Sequence, residues 1–163
     1  MLAYEGAGRE LVARLKYRNA RSSLLWLTGQ MAAAVDPAAI DVVTWVPTTA
    51  ERRRRRGFDQ AELLARHVAR LLRVPCRELL TRRDGPPQTG RDAAARWQGP
   101  ALVARRRGRV PRRVLLVDDV ITTGSSVTAA ARTLRDSGAT VVHVCAGART
   151  SLKRAGKASD TSL

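Results

Sequence analysis

The sequence predicts an α/β protein with three layers, a central parallel sheet flanked by helices, and a small helical and lid portion. Three observations carry this expectation. Asp41–Val46 and Val114–Val117 are short apolar runs of the kind that strands buried on both faces require. Each run is followed, after a polar loop, by a segment of helical periodicity, at about 60–73 and at 124–137. A further strand-like run, Ala139–Cys145, comes after the second of those helices. Strands that alternate with helices pair in parallel through right-handed crossovers.

Along the chain, residues 6–34 show helical spacing in Leu11, Val12, Leu15 and then Leu24, Leu25, Leu27 and Met31, with a break at Tyr17–Asn19. The strand at 41–46 is stopped by Pro47, which cannot donate in a central ladder. Thr48 to Gly57 reads as a basic loop. Asp59 then caps a helix over about Gln60–Arg73, with Leu63, Leu64, His67 and Leu71 facing inward. Val74–Leu80 is a short strand candidate interrupted by Pro75. From Thr81 to Pro111 the composition changes. Asp84–Pro87 forbids regular structure, and Arg91–Gly99 is polar and basic around Trp97. Connections this long are lids or disordered segments, and a lid is expected at about 82–110. The polar stretch from Ser151 to Leu163 lacks periodicity and is expected to be disordered, leaving one domain over residues 1–150.

A chain of 163 residues is large enough for one substantial core. Aromatics make up only 4%, so Leu, Val and Ala must build that core. No stretch approaches a membrane span, and the first residues lack the basic and apolar regions of a signal peptide. Cys76 and Cys145 lie far apart in apolar segments, which predicts reduced core thiols and a cytoplasmic location. The net charge of +16 points to a polyanionic partner, although it does not choose the anion.

The most informative segment is Val114–Ser126. Its apolar strand leads to two adjacent carboxylates, Asp118 and Asp119, expected at the strand's end. Thr122, Thr123, Gly124, Ser125 and Ser126 follow and open a helix. A helix N-terminus offers free N–H groups to a phosphate, and the hydroxyls add donors. The aspartates can accept hydrogen bonds from a vicinal diol. One loop therefore presents chemistry complementary to a ribose 5-phosphate. The segment has neither the G-x-x-x-x-G-K-[ST] of a triphosphate-binding loop nor the G-x-G-x-x-G of a dinucleotide fold.

This segment resembles the phosphoribosyl pyrophosphate (PRPP) motif of type I phosphoribosyltransferases. The resemblance implies that Asp118 and Asp119 bind the ribose hydroxyls and that Thr122–Ser126 bind the 5-phosphate. A second segment, Val46-Pro47 followed by Arg56-Gly57-Phe58-Asp59-Gln60, is similar to the Val-Pro and Arg-Gly-Phe-Asn-Gln of the ComF group, competence or amidophosphoribosyltransferase-like proteins. Leu15-Lys16-Tyr17 and Gln88 with Arg96 add weaker matches. The resemblance implies a pyrophosphate loop containing Pro47, Thr48, Arg56 and Gly57, with Arg56 as its principal cation. It also implies Mg²⁺ carried mainly by PRPP, with no direct protein ligand, and a small nitrogen acceptor.

The chain departs from the group at Thr48-Thr49-Ala50, where Leu-His-Pro is common, and at Asp59, which replaces Asn. No four-cysteine zinc ribbon precedes Tyr4, so zinc binding is not carried over, and either a short form or a truncated start is expected. Two other functions fit the same residues. One is a competence-related module binding single-stranded nucleic acid through its basic surface; the other is a PRPP sensor without turnover. A homo-oligomer is compatible with either. His67 and His143 read as structural, and Trp45 as core. Trp97 in the lid is the better candidate for stacking on a base, and Arg91 and Asp92 would reach the site only through lid closure.

Overall fold

The computed structural model describes residues 2–3, 20–83, 101–105 and 109–150. The described strands are β1 (Leu2–Ala3), β2 (Val42–Trp45), β3 (Leu80–Arg82), β4 (Leu102–Ala104), β5 (Arg113–Ile121) and β6 (Val141–Arg149). The helices are α1 (Ala20–Ala33), α2 (Ala50–Arg56), α3 (Gln60–Leu72) and α4 (Ser125–Asp136), with a 3-10 turn at Pro37–Ala39. The sheet runs β1-β6-β5-β2 with every pairing parallel, and Cys76 bridges to Val43 beyond β2. β3 and β4 form a separate antiparallel ribbon.

The strands are apolar on both faces because both faces are covered. Val43, Trp45, Leu115 and Val117 pack with Leu27 and Met31 of α1 and with Leu64 and Val68 of α3. Their neighbours Val42, Val114 and Leu116 pack on the opposite face with Leu134 of α4 and Leu80 of the ribbon. The result is the expected three-layer α/β architecture. Trp45 is buried in the first of these clusters, as its strand position predicts, with the Arg66 guanidinium 5.8 Å from its ring centroid.

Several boundaries and faces differ from expectation. β5 does not end at Val117: its ladder to β6 continues through Asp118↔Ala146, Val120↔Ala148 and Ile121↔Arg149. β6 correspondingly extends to Arg149 rather than stopping at Cys145. The Thr48–Gly57 segment is no loop but contains α2, capped at one end by Thr49, whose Oγ1 accepts from the Arg52 N–H, and closed at the other by Gly57 at φ 78. On α3 the inward face is Ala61, Leu64, Ala65, Val68, Ala69 and Leu72; Leu63 and Leu71 are exposed. Small alanines let this helix lie close on β2 and β5, so they rather than every leucine mark its core face. Leu25 of α1 is likewise exposed. The residues 6–19, the Asp84–Pro87 breaker, the centre of the lid and the 151–163 tail lie outside the described residues.

Candidate functional site

Pairing geometry opens the site. β2 and β5 stay in register as far as Trp45↔Val117, where Val46 makes a last bond to the Val117 carbonyl. Pro47 then ends the ladder on that side, while β6 continues to support β5 on the other. Asp118–Ile121 therefore have a strand on one flank and a cleft of about 420 Å³ at the other. Its lining brings together Pro47 and Thr48, the α2 arginines Arg52, Arg55 and Arg56, then Phe58, Asp59 and Gln60. Arg82, Asp118, Asp119, Thr122 and Ser126 also line it. It lies at the carboxyl ends of parallel strands, where open α/β sheets bind ligands.

Asp118 is buried, and burial followed by the charge of Asp119 raises its pKa to about 8. Its Oδ1 accepts from the Asp119 N–H at 2.8 Å, and Asp119 Oδ1 accepts from the Val120 N–H at 2.8 Å. The two carboxyls also meet side chain to side chain, a contact that raises Asp118 further. Gly147 on β6 lies close beneath: a Cβ there would come within 3.0 Å of the Asp119 carbonyl oxygen and of Leu27 Cδ2. A side chain here would press on the Asp119 backbone, so glycine lets β6 lie closely against the acidic pair.

Behind the aspartates, Gly124 takes a left-handed conformation, φ 81, and caps α4 without a side-chain hydrogen bond. The Thr123 and Ser125 hydroxyls lie 3.0 Å apart. Residues 120–127 and Asp118 enclose a further cavity of about 30 Å³, which contains Thr122, Thr123, Gly124, Ser125 and Ser126. The first-turn N–H groups of a helix have no intrahelical partner, so this recess is suited to an anion.

The opposite wall is α2. Its seven residues bury nothing, and its turn places Arg52, Arg55 and Arg56 together on the cleft side, at helical spacings of three and four. Arg53 turns away to Glu62 at 3.5 Å, and Arg54 does not line the cleft. Gly57, expected in the same loop, acts as the C-terminal turn of α2 and is not part of the cleft wall. The Thr48 N–H is committed: it donates to Asp59 Oδ2 at 2.9 Å. Asp59 Oδ1 accepts from the Ala61 and Glu62 N–H groups at 3.0 and 3.4 Å. Asp59 therefore ties the β2–α2 connection to the start of α3, besides capping that helix as its position predicts. Its pKa is raised, because burial outweighs those three bonds.

The sequence did not single out Arg52, Arg55, Arg82 or Gly147, although helical spacing from a Thr49 cap would have grouped the first two with Arg56; Gln60 stood out only as part of the Arg-Gly-Phe-Asp-Gln match, with no role attached. His67 is half-buried and His143 exposed, and neither lines the cleft. Cys76 and Cys145 are free and half-buried, and burial raises both thiols. Leu15–Tyr17, Gln88, Arg91, Asp92, Arg96 and Trp97 lie outside the described residues. Among the described residues no cluster of three or more His, Cys, Asp or Glu is placed to hold a metal, and no helix is long and apolar enough to cross a membrane.

A recess at the start of α4 thus adjoins a cleft that brings a carboxylate pair and a guanidinium face together at the end of a parallel sheet. The phosphoribosyl transferase domain signature matches residues 59–160, and the chain belongs to that family. Within it, the chain is similar to competence protein F of Haemophilus influenzae: 31% identical over 152 residues, covering 85% of this chain and 66% of that protein. It is also 34% identical over 113 residues to the DNA utilization protein YhgH of Escherichia coli, covering 68% of this chain and 50% of that protein. These relatives bear out the ComF resemblance, and the chain spans half to two thirds of their lengths. Among solved structures, the glutamine PRPP amidotransferase of B. subtilis superposes with a TM-score of 0.54 at 29% identity, over 76% of this chain and 26% of that one. A purine phosphoribosyltransferase from Pyrococcus horikoshii shares the fold, with a TM-score of 0.51 at 16% identity over 76% of this chain and 70% of that one.

Proposed function

We propose that this chain binds PRPP with Mg²⁺ and transfers its 5-phosphoribosyl group to a nitrogen acceptor. The observation that carries the reading is the opposition, across one cleft, of the Thr122–Ser126 recess with Asp118 and Asp119 to the arginine face of α2. PRPP carries a phosphate, a diol and a pyrophosphate, and the cleft with its adjoining recess offers groups that match each. The 5-phosphate takes the N–H groups and hydroxyls of Thr122, Thr123, Gly124, Ser125 and Ser126. The ribose hydroxyls donate to Asp118 and Asp119. The leaving pyrophosphate faces Arg56, with Arg52 and Arg55 beside it and Pro47 and Thr48 forming the adjoining wall.

In the transfer, the bond between the anomeric carbon and the pyrophosphate oxygen breaks with its electrons leaving on that oxygen. The acceptor nitrogen's lone pair forms the new bond, and its proton is released. Negative charge grows on the departing oxygens, where preorganised guanidiniums act most strongly. Mg²⁺, when bound, would offset the pyrophosphate charge while being held by PRPP's own oxygens and waters. Asp118 and Asp119, two carboxylates beside the sugar, are a donor set that fits a cation arriving with its ligand. Two free cysteines accord with a reducing, cytoplasmic setting.

The names of the two relatives, a competence protein and a DNA utilization protein, favour a second reading in which the exposed arginines of α2 bind single-stranded nucleic acid. The test is purified protein with Mg²⁺ and PRPP against ammonia, amines and nucleobases, read as pyrophosphate release. Acceptor-dependent release supports transfer. PRPP binding without release leaves a sensor, and oligonucleotide binding without PRPP binding leaves the second reading.

A further inference from the structure

Gln60, the first residue of α3, is only 6% exposed, yet its Oε1 has no hydrogen-bond partner among the described residues. Buried polar atoms in folded proteins are nearly always satisfied, so an orphan at a cleft wall indicates a partner supplied from outside. The charges around it say what kind. Asp59 precedes it, its carboxylate already filled by the N–H groups of Thr48, Ala61 and Glu62, so it has no hydrogen to offer Gln60. Asp119 shares the same cleft and only accepts when ionised, and Asp118 does the same once its ionised form engages the ligand. Ionised phosphate and pyrophosphate oxygens also only accept. An amide oxygen needs a donor; the guanidiniums of the cleft are drawn to the phosphate and pyrophosphate oxygens, and the donors that a phosphorylated sugar itself brings are its hydroxyls.

We infer that Gln60 is a specificity residue whose amide oxygen accepts a hydrogen bond from a ribose hydroxyl of the bound ligand, so that the cleft distinguishes a sugar phosphate from a bare phosphate. The inference rests on the PRPP reading of the cleft and adds a third sugar contact to the two aspartates. It also has an energetic signature. The orphan acceptor destabilises the empty protein, and the ligand relieves it. Residues optimised for binding rather than folding behave this way.

The test uses Gln60→Met, which keeps the length and apolar stem of the side chain while removing the acceptor. Affinities of the whole protein for ribose 5-phosphate, inorganic phosphate and inorganic pyrophosphate are measured by calorimetry, and the thermal midpoint is measured without ligand. Loss of one neutral hydrogen bond is expected to weaken ribose 5-phosphate roughly three- to tenfold. Phosphate and pyrophosphate affinities should hold, and the midpoint should stay level or rise. A purely structural Gln60 would instead lower the midpoint, and equal losses for all three ligands, or none for ribose 5-phosphate, would overturn the inference. If the unaltered protein bound phosphate but not ribose 5-phosphate, the PRPP reading itself would fall, a result distinct from failure of Gln60 alone.

Discussion

Asp118 offers the sharpest quantitative expectation. Its carboxyl is raised to about 8 by burial and by the neighbouring charge of Asp119. At pH 7 only about one tenth of it is ionised in the empty protein. If the ionised form accepts from the ribose hydroxyls, binding at pH 7 must release close to one proton from this group. Affinity for ribose 5-phosphate should then rise about tenfold per pH unit below 8 and level off above it. Calorimetry in buffers of different ionisation enthalpy counts the proton directly, and Asp118→Asn, which cannot titrate, provides the baseline for the ligand's own phosphate ionisation. Stability should change in the opposite sense. A carboxyl raised from 3.8 contributes stability that is complete below 3.8 and is lost as pH rises through about 8. Asp118→Asn should therefore gain thermal stability relative to the unaltered protein as pH rises from 4 toward 8, and the gap should flatten above. A pH-independent gap, together with no proton released on binding, would refute the assignment of Asp118 as a buried acceptor for the ligand.

Two other perturbations follow from the same geometry. Arg56→Ala, at the half-buried end of the α2 face, should weaken PRPP roughly ten- to a hundredfold, in keeping with a charge-assisted hydrogen bond. Arg52→Ala and Arg55→Ala, which are exposed, should cost less, and Arg54→Ala almost nothing; calorimetry at several salt concentrations separates them. A graded loss of oligonucleotide binding at every arginine, with PRPP affinity untouched, would contradict this pattern. Gly124→Val should abolish ribose 5-phosphate binding more completely than either aspartate change, because φ 81 is strained for a β-branched residue by about 1–3 kcal/mol. Spectroscopic melts would show the strain and titration the binding loss; normal binding would remove the loop from the phosphate site.

The sheet, α4 and its loop were legible because their signals are local. Four consecutive aliphatics, an acidic pair and a Thr-Thr-Gly-Ser-Ser turn need no tertiary information to be read together. The Asp59 cap was legible for the same reason. Its second bond, to Thr48 eleven residues earlier, was not, since only the fold brings those atoms within 2.9 Å. α2 escaped notice because a helix that buries no residue leaves no apolar periodicity, and five consecutive arginines look like a solvated run. Its remaining marks were a Thr cap and a terminal Gly. The length of β5 depended on β6, whose pairing holds the aspartates in extended backbone after β2 has ended. Gln60 and Gly147 acquire their roles from burial and close approach, which a sequence does not record.

The most direct measurement is a calorimetric titration of PRPP with Mg²⁺ into the unaltered protein, Asp118→Asn and Asp119→Asn, with a single-stranded oligonucleotide as competitor. The cleft described here predicts saturable binding that each substitution weakens roughly ten- to a hundredfold at pH 8 and above, as expected for charge-assisted hydrogen bonds, and that the oligonucleotide does not displace. Equal PRPP affinity in all three proteins, or no PRPP binding beside tight oligonucleotide binding, would contradict it.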